Sequence, residues 1–307
     1  MPHSLFIEIP DNFNFRSTIY SHGWCELAPF EIDDQNWRLS YVFTDGKAKK
    51  PTPATIFEED GQLRIDLDRK PANEAKIIDD ARHLLRLDDD IDGFYESVVG
   101  HERLDWVVKR RAGRMLRSPT VFEDLVKTIC TTNCSWALTK IMVSNLVEKL
   151  GKSEPPASAD GQFEKKHKRA RKRAFPTPEA MAGVSEDFYR NEIKAGYRAP
   201  YFVELAESVV SGNLDLQSWL TTDLPTPELK KEMKKVKGVG DYAAENLLKL
   251  VGRYDGLALD SWLRSQFYKN HNKEKVCPDK KIERHYKKFG KWRGLVIWCD
   301  MTEKWIN

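Results

Sequence analysis

The 307-residue sequence has no apolar run of membrane length. Its start, M-P-H-S-L-F-I-E-I-P-D, lacks a basic segment followed by an apolar one, so no secretory signal is expected. Cysteines are few. The five, at positions 25, 130, 134, 277 and 299, are odd in number and irregularly spaced, which points to reduced thiols in an intracellular protein. No four-cysteine cluster stands near the C-terminus, which argues against an iron–sulfur cluster. Cys130 and Cys134 lie four apart on an expected helix, where core packing rather than a metal is the expected role. Net charge is also small, at +3. It is unevenly placed: residues 1–100 carry 11 basic and 20 acidic side chains, and residues 101–307 carry 39 and 27. A polyanionic partner would therefore meet the later two-thirds, unless the charge is only a solvated face. What is abundant is core material, 40% hydrophobic residues with nine Trp and fourteen Phe, which excludes a disordered chain.

Residues 5–68 favour strands. L-F-I-E-I, W-R-L-S-Y-V-F and Q-L-R-I-D-L alternate apolar and polar residues, as antiparallel strands with one buried face do. Asp45-Gly46 and Asp60-Gly61 are hairpin signals. From about Glu74 the period becomes helical, with Ile77, Ile78, Ala81, Leu84 and Leu85 on one face. Asp88-Asp89-Asp90 reads as a solvated cap for the next helix rather than a metal site, because adjacent carboxylates on a turn point different ways.

The stretch from Thr226 to Arg264 organises the rest. Thr226 can cap a helix that begins at Pro227 and buries Leu229, Met233 and Val236. Gly238 and Gly240 permit a tight turn, and Asp241 can cap a second helix whose Ala243, Ala244, Leu247, Leu248 and Val251 face inward. The amides of Lys237, Gly238, Val239, Gly240 and Asp241 then gather at a helix N-terminus, a seat for a phosphate. Lys234, Lys235 and Lys237 add charge. On G-V-G alone an ordinary helix turn is the plainer reading. Asp260 follows Gly240 by 20 residues, after Leu257-Ala258-Leu259 and before Trp262. By itself Asp260 reads as a helix N-cap.

Together, K-G-V-G, a helix, and an acid before an aromatic-rich helix resemble the helix-hairpin-helix (HhH-GPD) DNA glycosylase superfamily, in its 3-methyladenine DNA glycosylase II and 8-oxoguanine DNA glycosylase branches. The resemblance implies that Asp260 is catalytic. R-M-L-R-S-P-T-V-F-E-D-L-V-K-T-I-C-T-T-N-C (114–134) is similar to the 8-oxoguanine branch. Ser118 would cap that helix, Pro119 would start it, and Asn133 would lie at the DNA where the expelled nucleotide stood. Gly196-Tyr197-Arg198 resembles the segment whose Tyr wedges into the duplex, with Arg198 on phosphate. A buried Tyr–Arg pair is the alternative. The end, W-R-G-L-V-I-W (292–298), is similar to the alkyladenine branch, which implies Trp298 in a base pocket with Tyr242 and Asn246. Core packing is the plainer reading of Trp298. Two departures stand out: the hairpin has Val236-Lys237 where Leu-Pro is usual, and Asp241 places negative charge at the phosphate seat.

The implied fold is α+β and mostly α, an N-terminal antiparallel sheet followed by a two-lobed helical fold with its cleft between the lobes. The expected units are residues 1–73; residues 74–117 with 200–307; and residues 118–199, with a basic insertion at 152–174. The insertion's Lys165, Lys166, Lys168, Arg169, Arg171, Lys172 and Arg173 read as phosphate contacts, a nuclear address or a solvated loop. The implied activity is base excision by a monomer acting on double-stranded DNA, without a membrane and without a cofactor, though a monovalent cation fits the hairpin 236–241. Location would be the nucleoid in a prokaryote or the nucleus in a eukaryote. Bifunctional relatives carry a lysine two residues after the second glycine, where this chain has Tyr242. Lys249, seven residues further, is not expected to replace it. The implied enzyme is therefore a monofunctional glycosylase using water, first on alkylated purines, next on 8-oxoguanine or deaminated bases. A non-catalytic DNA-binding protein is the competing class.

Overall fold

The computed structural model describes residues 3–45, 50–153 and 172–305. Gly46 of the first hairpin signal and residues 154–171 of the basic insertion lie outside the described residues.

Five strands, β1 (His3–Glu8), β2 (Glu31–Asp33), β3 (Arg38–Asp45), β4 (Lys50–Glu59) and β5 (Gln62–Leu67), form an antiparallel sheet in the order β1-β5-β4-β3-β2. Leu5, Ile7, Leu39, Tyr41, Phe43, Leu63, Ile65 and Leu67 alternate along their strands and are buried together. Asp60 and Gly61, with φ of +52° and +75°, turn β4 into β5. Pro51 and Pro53 sit in β4, although prolines are poor in central strands. Both lie where β4 pairs with β3 alone, because β5 reaches only as far as Ala54.

The helices are α1 (Phe15–Ile19), α2 (Glu74–Leu85), α3 (Asp92–Val98), α4 (Asp105–Lys109), α5 (Val121–Thr131), α6 (Trp136–Leu150) and α7 (Pro178–Ala182). Then come α8 (Glu186–Phe188), α9 (Ala199–Val210), α10 (Thr226–Met233), α11 (Asp241–Leu250), α12 (Ser261–His271), α13 (Asp279–Tyr286) and α14 (Arg293–Thr302). One buried core joins the sheet to α2, α5, α6, α9, α10 and α11. A second gathers α3, α4, α12, α13 and α14. The cores thus divide the chain differently from the expected units: residues 199–250 share the first core with 118–199, and only the chain beyond them packs with 91–115.

Cap positions also shift. Thr120, not Ser118, caps α5 by accepting from Glu123 N at 3.2 Å, while Ser118 N donates to Asp124. Thr226 is the first residue of α10 rather than its cap. Asp89 is not a solvated cap. It lies against Arg86 at 2.6 Å and Arg117 at 3.7 Å, and only Asp90 accepts from the next helix, at Asp92 N.

Candidate active site

Between α10 and α11 the hairpin Val236–Asp241 closes through Val239 N to Val236 O at 3.1 Å. Gly238 has φ of +88°, and a Cβ there would meet the Tyr201 ring at 2.7 Å, so the position requires glycine twice over. Gly240 differs from expectation. Its φ is −85°, which any residue adopts, and open space surrounds it. Gly240 is also the N-cap residue of α11; Asp241 stands one place inside and makes no side-chain cap. Its charge is instead neutralised by Lys234 at 3.0 Å and Lys230 at 3.1 Å, which hold its carboxyl below the usual range. This answers the repulsion that a carboxylate at a phosphate seat would cause. Lys235 pairs with Glu232 at 2.7 Å and Lys237 with Glu204. Exposed pairs of this kind contribute little, so the lysines are free to exchange partners with a polyanion.

The predicted wedge lies beside the hairpin. Asn133, with φ of +46°, is exposed at the end of α5, and its Nδ2 donates to Tyr197 Oη at 3.4 Å. Tyr197 is about half exposed, and its ring lies 6.1 Å from Tyr201, the residue under Gly238. Asn133, Tyr197 and the hairpin therefore share one face. Arg198 does not join them. It is 3% exposed, with its guanidinium spent on the carbonyls of Ile129, Thr132 and Ala195 and the Tyr197 ring 4.4 Å away. The C-terminal carbonyls of α5 claim it, because a helix end buried without donors is unfavourable. The expected phosphate contact of Arg198 is withdrawn.

Asp260 caps α12, accepting from Leu263 N at 2.7 Å through Oδ1. It is half-buried rather than walled off. Tyr242, in the first turn of α11, adjoins it. The phenol is pushed up to about 12 by burial and then by the charge and hydrogen bonding of the Asp260 carboxylate. Trp298 is half-buried; its Nε1 donates to Ser21 O at 2.8 Å. Trp262, two residues past Asp260 on α12, and Trp305 stand 6.1 and 5.4 Å from the Trp298 ring, so the three tryptophans form one cluster. Asn246 instead turns back to its own helix, donating to Tyr242 O at 2.9 Å.

The loop that delivers Asp260 is clamped from three sides. Ala258, two residues before it, has φ of +52°, a strained value for alanine, and its N–H donates to Glu245 of α11. Arg293 Nε donates to Asp255 O. Gly294 N donates to Tyr254 O at 2.6 Å, and a Cβ on Gly294 would fall 1.9 Å from Gly256 O. Trp292 stacks on Tyr254 with ring centroids 5.5 Å apart. The W-R-G run of the last helix thus holds the Asp260 loop, a role beyond the one read from Trp298.

Sequence reasoning also missed a cationic buttress. Arg86 donates to Lys249 O at 2.7 Å and Leu250 O at 2.5 Å, and Arg117 to Leu250 O at 3.1 Å. They hold the C-terminal end of α11, where positive charge is favourable. Arg114 binds Arg86 O and Asp89 O. Their signal was the doublet in R-M-L-R, unreadable until folding brought it to α11. Lys249 is wholly buried, with Nζ 3.3 Å from Leu257 O and 5.7 Å from the Trp298 ring. Burial lowers its amine to about 8, against the opposing pull of Glu245 and Asp260.

No family model and no curated protein matches the chain. Solved structures do. MBOgg1 in complex with a low-affinity DNA ligand superposes with a TM-score of 0.75 at 21% identity, over 98% of this chain and 96% of that one. The 3-methyladenine DNA-glycosylase from Archaeoglobus fulgidus gives 0.74 at 17%, over 98% of both chains. The 8-oxoguanine glycosylase/lyase from Clostridium acetobutylicum, in complex with double-stranded DNA, gives 0.72 at 19%, over 99% and 97%. The likeness shows a shared fold with these proteins over nearly the whole chain, sheet included.

Proposed function

We propose that this protein is a monofunctional DNA glycosylase that turns a damaged base out of the duplex and hydrolyses its N-glycosidic bond, using Asp260. The observation that carries this reading is the placement of Asp260: half-buried, beside Tyr242 in the first turn after the hairpin, at the start of the helix that carries Trp262 into a cluster with Trp298 and Trp305. A base inside the stack shields its glycosidic bond, so it must leave, at a cost on the order of a few kcal/mol. Tyr197 and Asn133 fill the gap, and the α11 N-terminus with its lysines grips the backbone nearby. Breaking the bond builds positive charge on the sugar. The Asp260 carboxylate stabilises that charge and orients water.

Absence of a lysine at position 242 supports the water route, since Tyr242 cannot form a Schiff base and Lys249 is buried against Leu257 O. The aromatic wall favours cationic alkylated purines, by stacking and cation–π attraction. An 8-oxoguanine substrate is the second reading, favoured by the likeness to the Clostridium structure. The test is a panel of duplexes with one damaged base each. Release of an alkylated purine without strand cleavage supports the proposal. Binding without release from any duplex leaves a DNA-binding module in its place.

A further inference from the structure

Away from the Asp260 face, three helices of the second core bring metal-ligating side chains together. His271 ends α12, His285 lies in α13, and Asp300 lies in α14. One nitrogen of each imidazole and one carboxylate oxygen all fall within 4.8 Å of one another, the one such three-residue group among the described residues. His271 Nε2 is 2.6 Å from Asp300 Oδ2. The His271 and His285 rings are 4.5 Å apart. Asp300 is held as metal-ligating carboxylates usually are: Tyr286 Oη donates to it at 2.6 Å and Arg103 Nε at 3.0 Å. The cluster opens on a cavity of about 660 Å³ walled by Phe267, Pro278, Lys280, Lys281 and Arg284.

The geometry points to a divalent transition-metal site, with His271, His285 and Asp300 as ligands of a zinc-class ion. Two imidazoles and a carboxylate suit zinc, with the open side left for water. Binding replaces the hydrogen bond between His271 Nε2 and Asp300 Oδ2 with coordination of both residues to the ion. The ion parts His271 and Asp300 from 2.6 Å and draws in the wider pairs, which lie within 4.8 Å, toward the roughly 3.3 Å spacing of ligands around zinc. Arg103 and the cationic cavity wall oppose it, so the dissociation constant is of micromolar order rather than that of a closed four-ligand site.

The consequence reaches the candidate active site through the helices. Asp260 caps the start of α12 and His271 ends it; Trp298 precedes Asp300 by two residues in α14. An ion here ties together the two helices that present Asp260 and Trp298.

Untagged, EDTA-stripped protein is titrated with Co²⁺ and read by its visible d–d bands, and melted with and without Zn²⁺. One Co²⁺ per chain with bands of a four-coordinate N,O site is expected, along with a melting point raised by a few degrees in about 0.1 mM Zn²⁺. His285→Ala, on an exposed residue that leaves the fold intact, and His271→Ala should each abolish both responses. A spectrum and melting point that stay unchanged with metal overturn the site. So does binding that survives both substitutions, which would mean an adventitious ion elsewhere.

Discussion

Replacing Lys249 by methionine should make the protein more stable at neutral pH. Lys249 carries its amine into the interior, where one carbonyl, Leu257 O at 3.3 Å, accepts from it and no carboxylate pairs with it directly. Burial lowers its pKa from 10.5 to about 8. In the unfolded chain the amine holds its proton up to 10.5, so between pH 8 and 10.5 the unfolded state binds more protons and stability rises with pH. Below pH 8 both states are charged and the penalty is fully present. At 1.36 kcal/mol per pH unit it is about 3 kcal/mol. Methionine keeps the stem and removes the charge, so Lys249→Met should be more stable by about 2–3 kcal/mol at pH 7 after the lost hydrogen bond is deducted. The gap should narrow by about 2 kcal/mol by pH 9.5. Urea midpoints of both proteins at pH 7, 8, 9 and 9.5 measure this. Taking the difference between the proteins removes the tyrosines and cysteines that titrate in the same range. A gap that is absent at pH 7, or that does not close on going alkaline, refutes the reasoning.

Other substitutions separate roles that the sequence lumps together. Gly238→Ala should lose about 1–2 kcal/mol from its positive φ alone and more from the Tyr201 contact, and should weaken duplex binding; Gly240→Ala, which only worsens an unstrained N-cap, should lose about 0.5–1 kcal/mol, both by thermal melting. Arg198→Ala should cost about 2–4 kcal/mol of stability because it strands the α5 carbonyls. Tyr197→Ala should leave the melting point in place and slow base release, since its ring is half exposed on the face proposed to meet DNA. Borohydride added during turnover should trap no covalent adduct with DNA, because position 242 offers a phenol and not an amine; a trapped adduct would contradict the water route.

How much of this was legible depended on how local each signal is. The sheet followed from alternation in Leu5/Ile7 and Leu63/Ile65/Leu67, which needs only neighbours in sequence. The hairpin and its 20-residue spacing to Asp260 were likewise readable, whereas the contact between Tyr197 and Asn133, 64 residues apart in the chain, was not. Cap positions slipped by one or two residues at Ser118, Thr226 and Asp241, because several residues near each start can accept the same amide. Arg198 was misread because whether a guanidinium faces solvent or a helix end depends on where α5 finishes relative to α9. The clamp of Arg293 and Gly294 on the loop before Asp260, and the arginine buttress on α11, join residues far apart in the chain, and no period or motif encodes such contacts.

The central claim is that the Asp260 carboxylate breaks the bond to an extruded base. The most direct measurement compares wild type with Asp260→Asn on a duplex carrying one N-alkylated purine, scoring free base and bound duplex in the same samples. Base release should fall by at least about 100-fold. Salt-dependent binding should persist, since the hairpin and wedge are untouched. Release by the asparagine variant at the wild-type rate would contradict the account.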